Sequence, residues 1–144
     1  MNSSPFDLSG RIALVTGASR GLGLHMARAL ARAGANLIVT SRSEARLSET
    51  RSEIGKLGRE CLPLTLDVID FGSIQRMADA AVRAFGKIDI LVNNAGCNVR
   101  KRAVNITWDD WNLVLDTNLR GQFFVAQAVA VRSMIPRSYG RVIN

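Results

Sequence analysis

Strands and helices must alternate along this chain. Residues 12–16, 37–40, 62–66 and 88–92 are short, apolar, β-prone runs, and each leads into a stretch with helical spacing. In the first of these stretches Leu22, Met26, Leu30 and Ala33 fall on one face and Arg28 and Arg32 on another, and Gly34 ends the helix. Leu47, Ile54 and Leu57 mark a second helix. Ile74, Met77, Ala81 and Phe85 mark a third, with Asp70 as its cap and Gly86 at its close. Thr107-Trp108-Asp109-Asp110 resembles a capping box with Asp in place of Glu and predicts a fourth helix, running to about Met134. Its second half, residues 123–131, is apolar almost all round and calls for cover on two sides. Residues 141–144 begin a fifth strand. Strands apolar on both faces need helices on both sides of a parallel sheet. The fold class is α/β, a doubly wound parallel sheet.

Composition removes several function classes. Of the 144 residues, 47% are hydrophobic and 22% charged, the balance of a globular domain. No stretch approaches the ~20 apolar residues that span a bilayer, so no membrane segment is expected. The first ten residues lack the basic start and apolar run of a signal peptide. Cys61 and Cys97 stand too far apart for a metal or redox pair, and two free thiols suit a cytoplasmic setting. With His25 the only histidine, neither a histidine-based metal site nor a Ser-His-Asp triad closes within the chain. The net charge is +7, and all its basic residues but Lys56, Lys87 and Lys101 are arginine. That excess is either solvated helix surface or a set of forks for phosphate or carboxylate. No nucleic-acid partner is expected, because the basic residues are spread along the chain without interleaved aromatics.

The first strand runs into Thr16-Gly17-Ala18-Ser19-Arg20-Gly21-Leu22-Gly23. Glycines there allow a tight turn and let a pyrophosphate approach the free N–H groups of a helix start. The alternative is a purely structural strand-to-helix turn. Some twenty residues on, at the end of the second strand, an acidic residue would hold a ribose diol. This chain has Ser41-Arg42 there, with Arg20 inside the glycine turn. Two guanidiniums and no carboxylate favour a 2′-phosphate, hence NADP(H) over NAD(H), unless Arg42 simply points into water. The missing acid also argues against an S-adenosylmethionine methyltransferase. At the end of the fourth strand, Asn93-Asn94-Ala95-Gly96 forms a turn at the sheet edge where ligands bind.

With Asp116-Thr117-Asn118-Leu119 further on, these motifs together resemble the classical short-chain dehydrogenase/reductase family, over nearly the whole chain. The resemblance implies a single Rossmann-like, NAD(P)-binding domain over residues 1–144, incomplete within its fifth strand. It implies that Gly17, Ser19, Arg20, Gly21, Leu22 and Gly23 wrap the pyrophosphate and adenosine side of the cofactor, and that Ser41 and Arg42 lie at the 2′-phosphate. Asp67 would bond the adenine with Val68 beside it, and Asn94, Ala95 and Gly96 would lie along the ribose. Asn118 takes the place of the catalytic asparagine that helps hold a water in the proton relay. A buried polar residue at a helix kink is the plainer reading of Asn118, and both readings are compatible.

The departure from the family weighs as much as the match. Family catalysis uses a serine after the fifth strand and a tyrosine and lysine spaced Y-x-x-x-K. Here the only tyrosine is Tyr139, Ile143 stands four residues later, and no lysine follows Lys101. The expectation is the amino-terminal part of an NADP(H)-dependent oxidoreductase acting on a small-molecule carbonyl or alcohol, its parent a homo-oligomer. The second reading is an inactive module that binds dinucleotide or a partner subunit. Arg100, Lys101 and Arg102, in a stretch similar to that of gluconate 5-dehydrogenase-like members, are either an attractor for a substrate carboxylate or a solvated loop. Acyl-carrier-protein thioester reductases of the same family stand as another substrate class.

Overall fold

The structure is a computed structural model and describes residues 5–144. Five strands, β1 (Ile12–Val15), β2 (Asn36–Ser41), β3 (Cys61–Thr65), β4 (Ile90–Val92) and β5 (Arg141–Ile143), form one parallel sheet in the order β3-β2-β1-β4-β5. Leu14 is in register with Ile38 on one side and Leu91 on the other. The expected doubly wound, Rossmann-like sheet is therefore present.

Alternation of side chains along each strand divides the core in two. Leu14, Ile38 and Leu91 face α3 (Phe71–Phe85) and α5 (Gln122–Val129), where Ile74, Met77 and Val125 are sealed from solvent. Ala13, Val15, Leu37 and Val39 face α1 (Gly21–Arg32) and α2 (Ser48–Lys56), against Ala27, Ala31, Leu47 and Ile54. Each large aliphatic side chain so buried contributes about 1.5–3 kcal/mol. Local signals place the helix ends. Asp70 accepts the Gly72 N–H, Gly86 closes α3 with φ 73°, and Thr107 and Asp110 form the reciprocal capping box at the start of α4 (Trp108–Leu115).

Three expectations need correction. The buried side of α1 is Gly23, Ala27 and Ala31, whereas Leu22 is 71% exposed and Met26 37% exposed. Small residues win because the helix lies too close to the strand-end turn for larger ones. The fourth helix is not one regular helix. It is interrupted by wide π-type turns at Asp116–Gly121 and Ala130–Met134. Cover for residues 123–131 comes from one side alone among the described residues: Val125, Ala128 and Val129 are buried while Phe123 and Val131 are 60% and 57% exposed. All three residues of β4 pair with β5. The outer edge of the sheet belongs to β5.

Candidate functional site

The sheet order reverses between β1 and β4, so the loops leaving their carboxyl ends diverge and open a crevice. Thr16, just past β1, ties those loops together. Its hydroxyl oxygen accepts the N–H groups of Asn94 and Ala95, both at 3.0 Å. The Asn94 carboxamide in turn donates to the carbonyls of Thr16 (3.0 Å) and Gly17 (3.1 Å). The two turns press together so tightly that a Cβ on Gly17 would lie 2.9 Å from the Ala95 Cα, and one on Gly23 would lie 2.2 Å from the Gly17 carbonyl oxygen. Gly17 also has φ 66°, a left-handed conformation that suits glycine.

Above this joint the start of α1 is open. Arg20, its extended N-cap residue, makes no side-chain cap bond, and a Cβ on Gly21 would meet nothing within 4 Å. Uncapped N–H groups at a helix start favour an anion. From β2, the Thr40 carbonyl accepts the Ala18 N–H at 3.0 Å, and the Thr50 hydroxyl donates to the Ala18 carbonyl at 2.8 Å. The glycine turn is thus held from β2 and α2 as well as from β4.

These loops enclose a cleft of about 450 Å³. Of the residues expected there, Gly17, Ser19, Arg20, Gly21, Ser41, Arg42, Asp67, Val68, Asn94, Ala95 and Gly96 line it. Leu22 does not, its side chain being exposed, and Gly23 lies beneath the wall as a spacer. Asn118 sits behind the wall, in the π-type turn, with both ends of its carboxamide bonded to the Cys97 backbone. Reading the sequence missed Thr40, Arg46, Leu66, Ile69, Cys97, Leu113 and Thr117, which complete the lining. Thr40 precedes Ser41 in β2, and its buried hydroxyl has no partner among the described residues. Arg46 follows Arg42 by four residues, on the short 3-10 turn Glu44–Leu47 that leaves the end of β2. Asp67 is the only carboxylate in the lining.

The profile of the short chain dehydrogenases matches residues 11–144. The chain belongs to the short-chain dehydrogenase family. It is 42% identical over 139 residues to gluconate 5-dehydrogenase of Gluconobacter oxydans strain 621H, covering 96% of this chain and 54% of that one. It is 40% identical over 141 residues to 2-dehydro-3-deoxy-D-gluconate 5-dehydrogenase of Escherichia coli K12, covering 98% and 55%. The crystal structure of an NAD+-bound xylitol dehydrogenase superposes with a TM-score of 0.89 at 33% identity, over 96% of this chain and 53% of that one. The chain spans about half the length of the curated relatives it matches.

Other polar residues of this short-chain dehydrogenase chain lie elsewhere. Tyr139 is at the opposite edge of the sheet, between Arg11, 4.4 Å from its ring centre, and Arg141 at 5.2 Å. Beside it the buried Asp89 accepts the Ile12 N–H at 2.9 Å and an Arg137 hydrogen bond at 2.5 Å. Past the Asn-Asn-Ala-Gly turn, Lys101 meets Asp110 at 2.6 Å, and with the Thr107 bonds it holds that carboxyl down at about 2. Arg100 and Arg102 are exposed and outside the cleft lining. Burial raises the Cys61 thiol to about 11, which suits a structural role. Among the described residues no helix is long and apolar enough to cross a membrane, and no cluster of metal-ligand side chains occurs.

Proposed function

We propose that this chain is the cofactor-binding part of an oxidoreductase that interconverts a carbonyl and an alcohol with NADP(H) in the cytoplasm. One observation carries the cofactor choice. The strand-end position suited to a ribose-binding acid holds Ser41-Arg42, and Arg42 shares the cleft with Arg20. The residues fit a dinucleotide on their own geometry. Gly21 leaves room for a close approach, the uncapped start of α1 offers N–H donors to a pyrophosphate, and the Gly17 turn cannot accept a side chain.

When bound, the nicotinamide supplies the position that gives or takes a hydride. The chain's own residues bind and orient. Gly17, Ser19, Gly21, Leu22 and Gly23 form the pyrophosphate turn, Leu22 and Gly23 through their backbone. Arg20 and Arg42 neutralise the 2′-phosphate. Asp67 and Val68 border the adenine, and Asn94, Ala95 and Gly96 border the ribose. Asn118 stands at the family's relay position and, through Cys97, fixes the turn against which the ribose lies. The names of the two gluconate-type relatives favour a small polyhydroxy acid as substrate, and an exposed apolar helix face favours a homo-oligomer. An inactive binding module is the second reading. What favours it is the position of Tyr139, at the sheet edge remote from the cleft.

The test is fluorescence titration of the chain with NADPH and NADH. A charged hydrogen bond contributes roughly 1.5–3 kcal/mol, so Arg42→Ala weakens NADPH by about tenfold to a hundredfold and leaves NADH nearly unchanged. Equal losses for both nucleotides overturn the NADP(H) reading.

A further inference from the structure

We infer that Arg46 is a third guanidinium of the anion-binding end of this cleft and a determinant of nucleotide choice. The inference rests on the dinucleotide reading of the cleft and concerns a residue that none of the motifs marks.

Arg46 lies on the 3-10 turn Glu44–Leu47 and lines the same cleft as Arg20 and Arg42. Some arginines of the chain have carboxylate partners, as Arg28 has Glu53 at 3.1 Å and Arg132 has Asp79 at 2.6 Å, whereas others, such as Arg32 and Arg83, have none among the described residues. Among the described residues, no side-chain hydrogen bond or ion pair engages Arg20, Arg42 or Arg46. The one carboxylate of the lining, Asp67, accepts the N–H of Ile69 in its own loop at 3.2 Å. Three guanidiniums bordering one cleft make it electrostatically favourable for an anion.

The turn that carries Arg46 is braced rather than loose. The Ser41 hydroxyl donates to the Ser43 carbonyl at 2.7 Å and accepts the Ser43 N–H at 3.1 Å. The Arg46 N–H donates to that same carbonyl at 3.1 Å, and the Leu47 side chain next to it is fully buried. Ser41 therefore positions the arginine loop with its hydroxyl and does not reach the nucleotide through it. A compact phosphate monoester dianion matches three planar, permanently charged forks, because each offers paired N–H donors to its oxygens. A ribose diol carries no charge to balance them. The cleft should discriminate on the charge of the 2′ substituent, with Arg46 contributing to that discrimination.

The experiment is calorimetric titration of the full chain with adenosine 2′,5′-bisphosphate and with adenosine 5′-monophosphate, for the parent and for Arg46→Gln and Arg46→Lys. Thermal melting of each variant confirms that it folds. The expected result is that Arg46→Gln weakens the bisphosphate about tenfold and leaves the monophosphate within twofold, while Arg46→Lys keeps part of the affinity. Loss of both nucleotides to the same degree, or loss of neither, overturns the role of Arg46 while the dinucleotide reading survives. A parent chain that binds neither probe overturns both.

Discussion

Asn118 and Cys97 are joined by two hydrogen bonds: the Asn118 carboxamide donates to the Cys97 carbonyl at 2.8 Å and accepts the Cys97 N–H at 2.8 Å. The pairing imitates a β-ladder between a π-type helical turn and the loop that follows β4. It leaves no room beside it, since a Cβ on Gly96 would sit 3.1 Å from the Asn118 Oδ1. Asn118→Ala orphans both backbone groups of Cys97. A half-buried pair left unsatisfied costs about 1–3 kcal/mol, so the melting temperature falls. Nucleotide affinity falls further than stability alone explains, because the floor of the cleft loses its brace. An unchanged melting curve and unchanged titration would remove Asn118 from this role.

Two glycines in the chain should respond to alanine with opposite signs. In Gly23→Ala the new methyl meets the Gly17 carbonyl and the Asn94 carboxamide. Overpacking of this kind costs about 1–3 kcal/mol or more, and it also displaces the start of α1 from the cleft. Gly55 lies within α2, and its Cβ would meet nothing within 4 Å. There alanine stabilises by about 0.4–1 kcal/mol. Chemical denaturation of the two variants beside the parent measures both effects.

Asp89 gives the chain an acid-sensitive joint. Burial alone would raise its carboxyl, but the Ile12 N–H and the hydrogen bonds from Arg137 and Lys87 outweigh that, and the net direction is down. A carboxylate whose folded value is depressed stabilises the fold fully above its unfolded value near 4. That contribution is lost as pH falls from there through the folded value. Stability should decline from about pH 4 downward, and Asp89→Asn should flatten the decline and cost about 1.5–3 kcal/mol at neutral pH. Denaturation midpoints between pH 2 and pH 7 test both, and parallel curves for parent and variant would discount Asp89.

The outer side of the long fourth helix predicts association. Leu119, Phe123 and Ile135 are 65%, 60% and 67% exposed, and large apolar side chains left exposed together mark contact sites. The chain should bind a hydrophobic dye and scatter light as more than a monomer. Phe123→Gln with Ile135→Gln should lower both signals while leaving the melting temperature nearly unchanged. A dye-silent, monodisperse monomer in the parent would refute this.

Local rules acting on neighbouring residues settle a good part of this fold. Alternating apolar runs and helical spacings dictate a parallel sheet covered on both faces. Asp70 caps α3 at Gly72, Gly86 ends it, and Thr107 with Asp110 starts α4, because caps need only residues within one turn. The glycine turn, the Asn-Asn-Ala-Gly turn and the Ser41-Arg42 pair are legible for the same reason. Each sits directly after a strand, and the parallel sheet sends all strand ends to one edge.

Only the tertiary structure decided which side chains meet across that edge. Asn118 and Cys97 are 21 residues apart, and no periodicity links them. Arg46 and Thr40 belong to the cleft because β2 lies beside β1, a neighbourhood set by sheet order and not by distance along the chain. The buried face of α1 turned on residue size: spacing favoured Leu22 and Met26, but the helix lies against the sheet through Gly23, Ala27 and Ala31. Steric closeness to the Gly17 turn overrode hydrophobicity there. A sequence displays the size of its side chains, and only the folded backbone fixes how much space each one is given.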